Sequence, residues 1–197
     1  MTHTSQTDTV IYPVILPVPP DKRLLSGRKQ AEYLSRYARC ALKLSAEKRQ
    51  IRTDIGNLPK DAAGTPLPVD GVYWSVTHKP EYVGGVVSCE RTGLDIEKIR
   101  PVSEGLFRKI SDEHEANLTD DDRLRVFFRY WTSKEAVLKA AGTGLKALSC
   151  CKIMQITDDR HLIICFENRE WLIEHFRFDG HIASVVKNAG EVKWSWQ

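Results

Sequence analysis

The chain has 197 residues, of which 42% are apolar, 9% aromatic and 28% charged, with a net charge of +3. That length allows one large domain or two small lobes around a shared core, and the composition excludes a largely disordered chain. No run of about 18 apolar residues is present, which excludes a membrane-spanning helix.

Residues 1–9 are polar and threonine-rich and are expected to be mobile. The stretch Val10 to Val18 is apolar but broken by Pro13 and Pro17, and no basic segment precedes it. It reads as an extended segment at a sheet edge and not as a secretory signal, so a cytoplasmic location is expected. From Asp21 to Arg52, ten basic residues face three acidic ones, a net of +7. Such a stretch suits phosphates or an acidic protein surface, or is simply the solvated side of a helix. The helix is predicted over Ser26 to Leu44, with Leu34, Tyr37, Ala38, Ala41 and Leu42 inward and most arginines elsewhere.

Gly56 to Gly71, rich in Pro, Gly and Asp, is predicted as a loop. Strands follow over Val72 to Thr77, Tyr82 to Ser88 and Gly93 to Ile99. A second helix is predicted over Asp121 to Ala141, capped by Asp120 and closed by Gly142 and Gly144. The remainder reads as an antiparallel meander: Ile153 to Ile156, Leu162 to Glu167, Trp171 to Phe178 and His181 to Val186. Each half runs helix, then strands, ending in a similar apolar run, Tyr82 to Val87 and His181 to Val186. The expected fold class is therefore α+β, with two similar lobes over residues 10–100 and 101–197. Five cysteines without a C-x-x-C pair give neither a disulfide framework nor a zinc site. Vicinal Cys150 and Cys151 read either as a redox pair or as small buried side chains opening a strand.

Three groups of residues carry chemistry. At about 100° per residue, Leu124, Phe128, Trp131, Leu138 and Gly142 share a face of the second helix, and Glu135 falls within that stripe with Lys139 at its edge. A buried carboxylate needs a partner, and an internal Glu135–Lys139 pair is the plain alternative to a functional one. Asp95 and Glu97, two residues apart, leave one face of their strand, where two carboxylates repel unless a cation lies between them. Oxygen ligands suit Mg²⁺ or Mn²⁺, although a solvent-facing alternating strand gives the same pattern. Thr77, His78 and Lys79 gather a hydroxyl, an imidazole and an ammonium at a strand end, fit to grip a phosphate. No nucleophile elbow or P-loop is present.

Gly93-Leu94-Asp95-Ile96-Glu97 resembles the G-[IV]-D-[IV]-E motif of the 4′-phosphopantetheinyl transferases. Trp131-Thr132-Ser133-Lys134-Glu135-Ala136-Val137-Leu138-Lys139 is similar to their W-[ST]-x-K-E-[AS]-x-x-K motif, followed by Gly142-Thr143-Gly144-Leu145 for G-x-G-L. Ser75-Val76-Thr77-His78 resembles the upstream S-x-S-H element, with Thr77 in place of serine. The length is similar to that of the surfactin-synthetase-activating type, and the helix Glu32 to Leu42 resembles the arginine-bearing helix of enterobactin-type members. The resemblance implies two lobes in pseudo-twofold arrangement, a site between them, and a monomer that mimics a dimer. It implies transfer of 4′-phosphopantetheine from coenzyme A to a serine of an apo acyl or peptidyl carrier protein, with release of 3′,5′-ADP. Asp95, Glu97 and Glu135 would hold Mg²⁺ (or Mn²⁺), with Asp95 and Lys139 also serving catalysis and Glu135 the base. Lys139 would contact the pyrophosphate. His78 and Thr77 would bind the 3′-phosphate, aided by Arg28, Arg36 or Arg39. Gly64-Thr65-Pro66 stands where many members have Gly-Lys-Pro, which leaves that lysine's contact to Lys60 or Lys79. Two other classes share some of these residues: a basic nucleic-acid-binding module and a metal-dependent phosphodiesterase. Neither nucleic acid nor membrane is expected as a partner.

Overall fold

The computed structural model describes residues 10–52, 58–62, 64–119, 121–188 and 190–197. The expectations for residues 1–9 and for Asp120 lie outside these residues, as does Gly56 at the start of the expected loop. The chain is a mixture of α and β structure built on two sheets.

The first sheet combines β1 (Val14–Pro17), β2 (Tyr73–His78), β3 (Tyr82–Ser88) and β9 (Ser195–Trp196) in the order β2-β3-β1-β9. β1 was expected at a sheet edge because of its prolines, but it lies inside the sheet. The short β9 pairs with it in parallel, Val14 opposite Ser195 and Ile15 opposite Trp196. Pro13 precedes the strand and Pro17 is its last residue, so neither imino nitrogen interrupts the strand's centre.

Helix α2 (Gly27–Lys48) crosses β1, β2 and β3, preceded by the single turn α1 (Pro20–Arg23). Its buried residues, Leu34, Ala38, Ala41, Leu42, Ser45 and Ala46, recur at helical spacing and extend the predicted element by one turn. Gly85 permits the contact, since a Cβ there would lie 2.4 Å from the backbone nitrogen of Leu42.

The second sheet has the order β4-β8-β7-β6-β5, from β4 (Leu94–Lys98), β5 (Lys152–Ile156), β6 (His161–Phe166), β7 (Arg169–Phe178) and β8 (His181–Val186). All its pairings are antiparallel, as the predicted meander requires for β5 to β8. β4 joins β8, with Asp95 opposite Ser184. Residue 100 is thus not the boundary between sheets: β4, placed with the first half from sequence, belongs to the second sheet, and β9 from the C-terminal half completes the first.

Helix α5 (Arg123–Ala141) packs over β8 and β4, with α3 (Glu104–Ile110) and α4 (Glu113–Ala116) leading into it. Its N-cap is Asp122, whose side chain accepts from the Arg125 amide, and it closes on Gly142 at φ 76°, a left-handed position suited to glycine. A 3₁₀ segment, Leu145–Cys150, follows. Cys150 is exposed and Cys151 buried, its thiol pushed up to about 12 first by burial. Among the described residues no helix is long and apolar enough to cross a membrane.

Candidate functional site

The two sheets meet where β2, the edge of one, passes β4, the edge of the other. Leu94 and Ile96 enter the core between the sheets: Ile96 clusters with Ile15, Tyr82, Phe178 and Ala183, and Leu94 with Ile11, Val86 and Val185. Alternation then sends Asp95 and Glu97 out of the other face, beneath α5. Gly93 brings helix and strand together, because a Cβ at this position would stand 1.9 Å from the carbonyl oxygen of Ala136.

Asp95 is buried. Its Oδ1 accepts from Lys139 Nζ at 2.8 Å and from Thr77 Oγ1 at 3.0 Å, while Oδ2 is buried without a hydrogen-bond partner among the described residues. Lys139 also donates to the Leu94 carbonyl at 3.0 Å. Glu97 Oε1 accepts from Lys79 Nζ at 2.6 Å and from the Trp131 indole at 3.1 Å. Lys79 comes from the turn after β2, so this pair ties the first sheet to the second. Although burial pulls the Lys79 ammonium down, the carboxylates of Asp95, Glu97 and Glu135 raise it on balance.

Trp131, Glu135 and Lys139 are spaced by four residues along α5 and are half-buried, whereas Phe127, Phe128, Tyr130, Ala136, Val137 and Leu138 are buried. The stripe read from the sequence as the helix's core face is split: Phe128 and Leu138 are buried, whereas Leu124, Trp131 and Glu135 within it are half-buried. Helix α5 is sheathed on nearly every other side, so apolar periodicity does not separate the row of Trp131, Glu135 and Lys139 from the core. Glu135 is pushed up to about 7, first by burial and then by the Asp95 charge, against the pull of Lys139 and Lys79.

The remaining candidates divide. Thr77 is buried and spent on Asp95, so it holds the carboxylate rather than facing a ligand. His78 stands at the end of β2, held below its ordinary value by burial and by the ammonium groups of Lys139, Lys79 and Lys60. Lys60 lies 5.8 Å over the Trp74 ring. Arg28 is paired with Glu32 at 2.6 Å on the exposed side of α2. Arg36 and Arg39 border a groove on that helix with Ala31, Glu32 and Ser35. A cavity of about 220 Å³ adjoins Lys139, lined by Thr65, Pro66, Tyr73, Trp74 and Arg91 among others.

Two features escaped the sequence reading. The Trp131 indole reads in the sequence as apolar surface, yet its N–H orients Glu97. Lys134, next to Glu135 on the far side of α5, is buried and donates to Glu115 Oε1 and Oε2 at 2.7 and 2.8 Å and to the Ile110 carbonyl at 2.6 Å. Glu115 also accepts from the amides of Ile153 and Asp112. The only sequence signal for Glu115 was the capping pattern Asp112-x-x-Glu115.

Asp95, Glu97 and Glu135 form a set of hard oxygen donors whose charges disfavour one another, and an orphaned carboxylate oxygen lies among them. A divalent cation fits that chemistry. As they stand, among the described residues no three His, Cys, Asp or Glu side chains close into a ready cage, and ammonium groups engage two of the carboxylates.

Residues 91–186 match the model of the 4′-phosphopantetheinyl transferase superfamily. The chain is similar to the 4′-phosphopantetheinyl transferase HetI of Nostoc sp. (strain PCC 7120), 33% identical over 112 residues, covering 53% of this chain and 47% of that protein. It is also similar to the 4′-phosphopantetheinyl transferase gsp of Aneurinibacillus migulanus, 27% identical over 90 residues (44% of this chain, 38% of the relative). A third relative is the 4′-phosphopantetheinyl transferase ffp of Bacillus subtilis, 27% identical over 77 residues (37% and 34%). In each case the match spans less than half the length of the relative.

Proposed function

We propose that this chain, whose residues 91–186 match the model of the 4′-phosphopantetheinyl transferase superfamily, transfers 4′-phosphopantetheine from coenzyme A to a serine of an apo carrier protein. The observation that carries the reading is the joining of Asp95, Glu97 and Glu135 with Lys79 and Lys139 along one seam between β4, α5 and the turn after β2. Three carboxylates and two ammonium groups suit the pyrophosphate of coenzyme A, which must be neutralised before a hydroxyl can attack it.

In this reading Asp95, Glu97 and Glu135 would hold Mg²⁺, or Mn²⁺, which would supply positive charge to the pyrophosphate oxygens. Glu135 takes the serine proton, and the cation beside it would keep the carboxylate ionised for that task. The serine oxygen bonds to the phosphorus bearing pantetheine while the bond from that phosphorus to the bridging oxygen breaks, and 3′,5′-ADP leaves. Lys139 stabilises charge on the leaving side, and Lys79 neutralises the pyrophosphate once drawn off Glu97. Trp131 and Thr77 position Glu97 and Asp95. His78, with Lys60 beside it, receives the 3′-phosphate, and Arg28, Arg36 and Arg39 give α2 a basic flank for coenzyme A and an acidic carrier. The two sheets, each carrying one long helix, would be the halves of a pseudo-twofold monomer, with lobes 10–100 and 101–197 exchanging β4 and β9. The expected setting is the cytoplasm.

Intact-mass measurement of apo-carriers incubated with the protein, Mg²⁺ and coenzyme A tests the reading. A gain of one phosphopantetheine on at least one carrier is expected, with 3′,5′-ADP released only when a carrier is present. Release without a carrier would identify a phosphodiesterase instead, and no mass gain on any carrier would overturn the proposal.

A further inference from the structure

Beyond the turn that joins β5 to β6, β7 outruns β6: His161 is the first β6 residue to pair, opposite Glu174, and β7 continues to Phe178. A cavity of about 410 Å³ opens there, lined by Asp159, Arg160, His175, Phe176, Arg177, Val192 and Trp194. Cationic and unpaired groups gather around it. Arg177 is exposed and has no ion-pair or hydrogen-bond partner among the described residues. Arg160 gives one nitrogen to Glu174 at 2.7 Å and leaves its side chain 60% exposed. His175 is buried, with Nδ1 2.9 Å from Ser184 Oγ and Nε2 without a partner among the described residues. Arg129, from α5, donates to the carbonyls of Asp158 and His161 and keeps a buried Nε–H unpartnered among the same residues.

The nearby carboxylates do not settle these charges. Glu174 already accepts from Arg160, from the Trp194 indole at 3.1 Å and from Lys187 at 3.5 Å, with His161 at 3.2 Å. Asp158 is taken by His161. Asp159 alone lies open on the rim. Burial, together with the charges of Arg129, Arg177 and His161 and against that of Asp158, holds His175 neutral. Guanidinium forks flanking a concave, half-apolar surface are a recognition pattern for tetrahedral oxyanions.

We propose that this cavity is a second ligand site, separate from the carboxylate seam, that binds a small tetrahedral oxyanion of the phosphate class between Arg160 and Arg177, with the Trp194 indole as its wall and His175 at its base. Ser184 links the site to the seam, because it contacts His175, accepts or donates to Thr132 Oγ1 at 2.6 Å and sits opposite Asp95 in the sheet.

The test is an NMR titration of the folded full chain with inorganic phosphate at constant ionic strength, following the His175 ring resonances, with acetate as the planar comparator. Saturable movement with phosphate and little with acetate is expected. Arg177→Gln should weaken the effect at least tenfold, and Lys139→Met, at the carboxylate seam, should leave it intact. Unmoved His175 resonances, equal response to acetate, an unchanged response in Arg177→Gln, or loss of the response in Lys139→Met would each overturn the proposal. None of these outcomes depends on transferase turnover, so the second site and the proposed reaction can fail independently.

Discussion

Glu135 is the residue where stability and proposed chemistry pull in opposite directions. Its folded value of about 7 lies above the ordinary value of 4.5, so its contribution to stability is full below pH 4.5 and is lost as pH rises through 7. Without added metal, Glu135→Gln should therefore melt higher than the parent at pH 8, by about 1–2 kcal/mol once partial exposure is allowed for, with little difference at pH 5. Thermal melts at the two pH values check this, and an equal or lower midpoint at pH 8 would contradict it. The same variant should lose carrier modification by about a thousandfold or more in the mass assay, because glutamine can take no proton. Lys134 behaves differently. Lys134→Met would leave the Glu115 carboxylate buried without its ammonium, at a cost of about 3–5 kcal/mol, which urea denaturation would read as a large fall in midpoint. A variant within about 0.5 kcal/mol of the parent would show that Glu115 finds other compensation.

Between elements, the closest fit is that of β4 against α5 at Gly93. Gly93→Ala would push its Cβ into the Ala136 carbonyl, one residue from Glu135 and two from Asp95, and separate the strand from the helix. A loss of about 2–4 kcal/mol is expected, with a further loss of transfer in the protein that remains folded. Gly105→Ala in α3 meets nothing within 4 Å and serves as the control, expected to be neutral or slightly stabilising in the same melts. Local signals make much of this level legible in the sequence. The alternation of Leu94 to Glu97 set the faces of β4, the spacing of Leu34, Ala38 and Leu42 set the buried side of α2, and the four β-rich runs after the 3₁₀ segment gave the meander. What stayed hidden depended on neighbours far along the chain. The open row of α5 could not be told from its core side, because the helix is covered almost all round and only tertiary packing leaves Trp131, Glu135 and Lys139 uncovered. The pairing of β4 with β8 and of β1 with β9 joins residues about ninety or more positions apart, which no window of local sequence reports.

Across the whole molecule, side chains hold the sheets together at the turn after β2: Lys79 to Glu97, Lys98 to Glu81 at 2.6 Å, and Tyr82 Oη to Asp179 Oδ2 at 2.6 Å. Tyr82→Phe should remove one link at a cost of about 1 kcal/mol, visible as faster amide exchange in β2 and the turn relative to β7. Unchanged exchange there would mean the apolar contacts alone hold the sheets. The ammonium groups of Lys79 and Lys139 have a wider consequence, because they act as placeholders. Each rests on a carboxylate that the proposed reaction needs for a cation, so a cation bound in the seam would displace them and leave the lysines available to phosphate. A phosphate that draws the lysines away equally clears the carboxylates. The two ligands should therefore recruit one another by the same factor in either order, as linkage requires. Calorimetric titration of Mg²⁺ with and without 3′,5′-ADP should show several-fold tighter binding of each in the presence of the other, and mutual indifference would mean that the lysines never leave their seats.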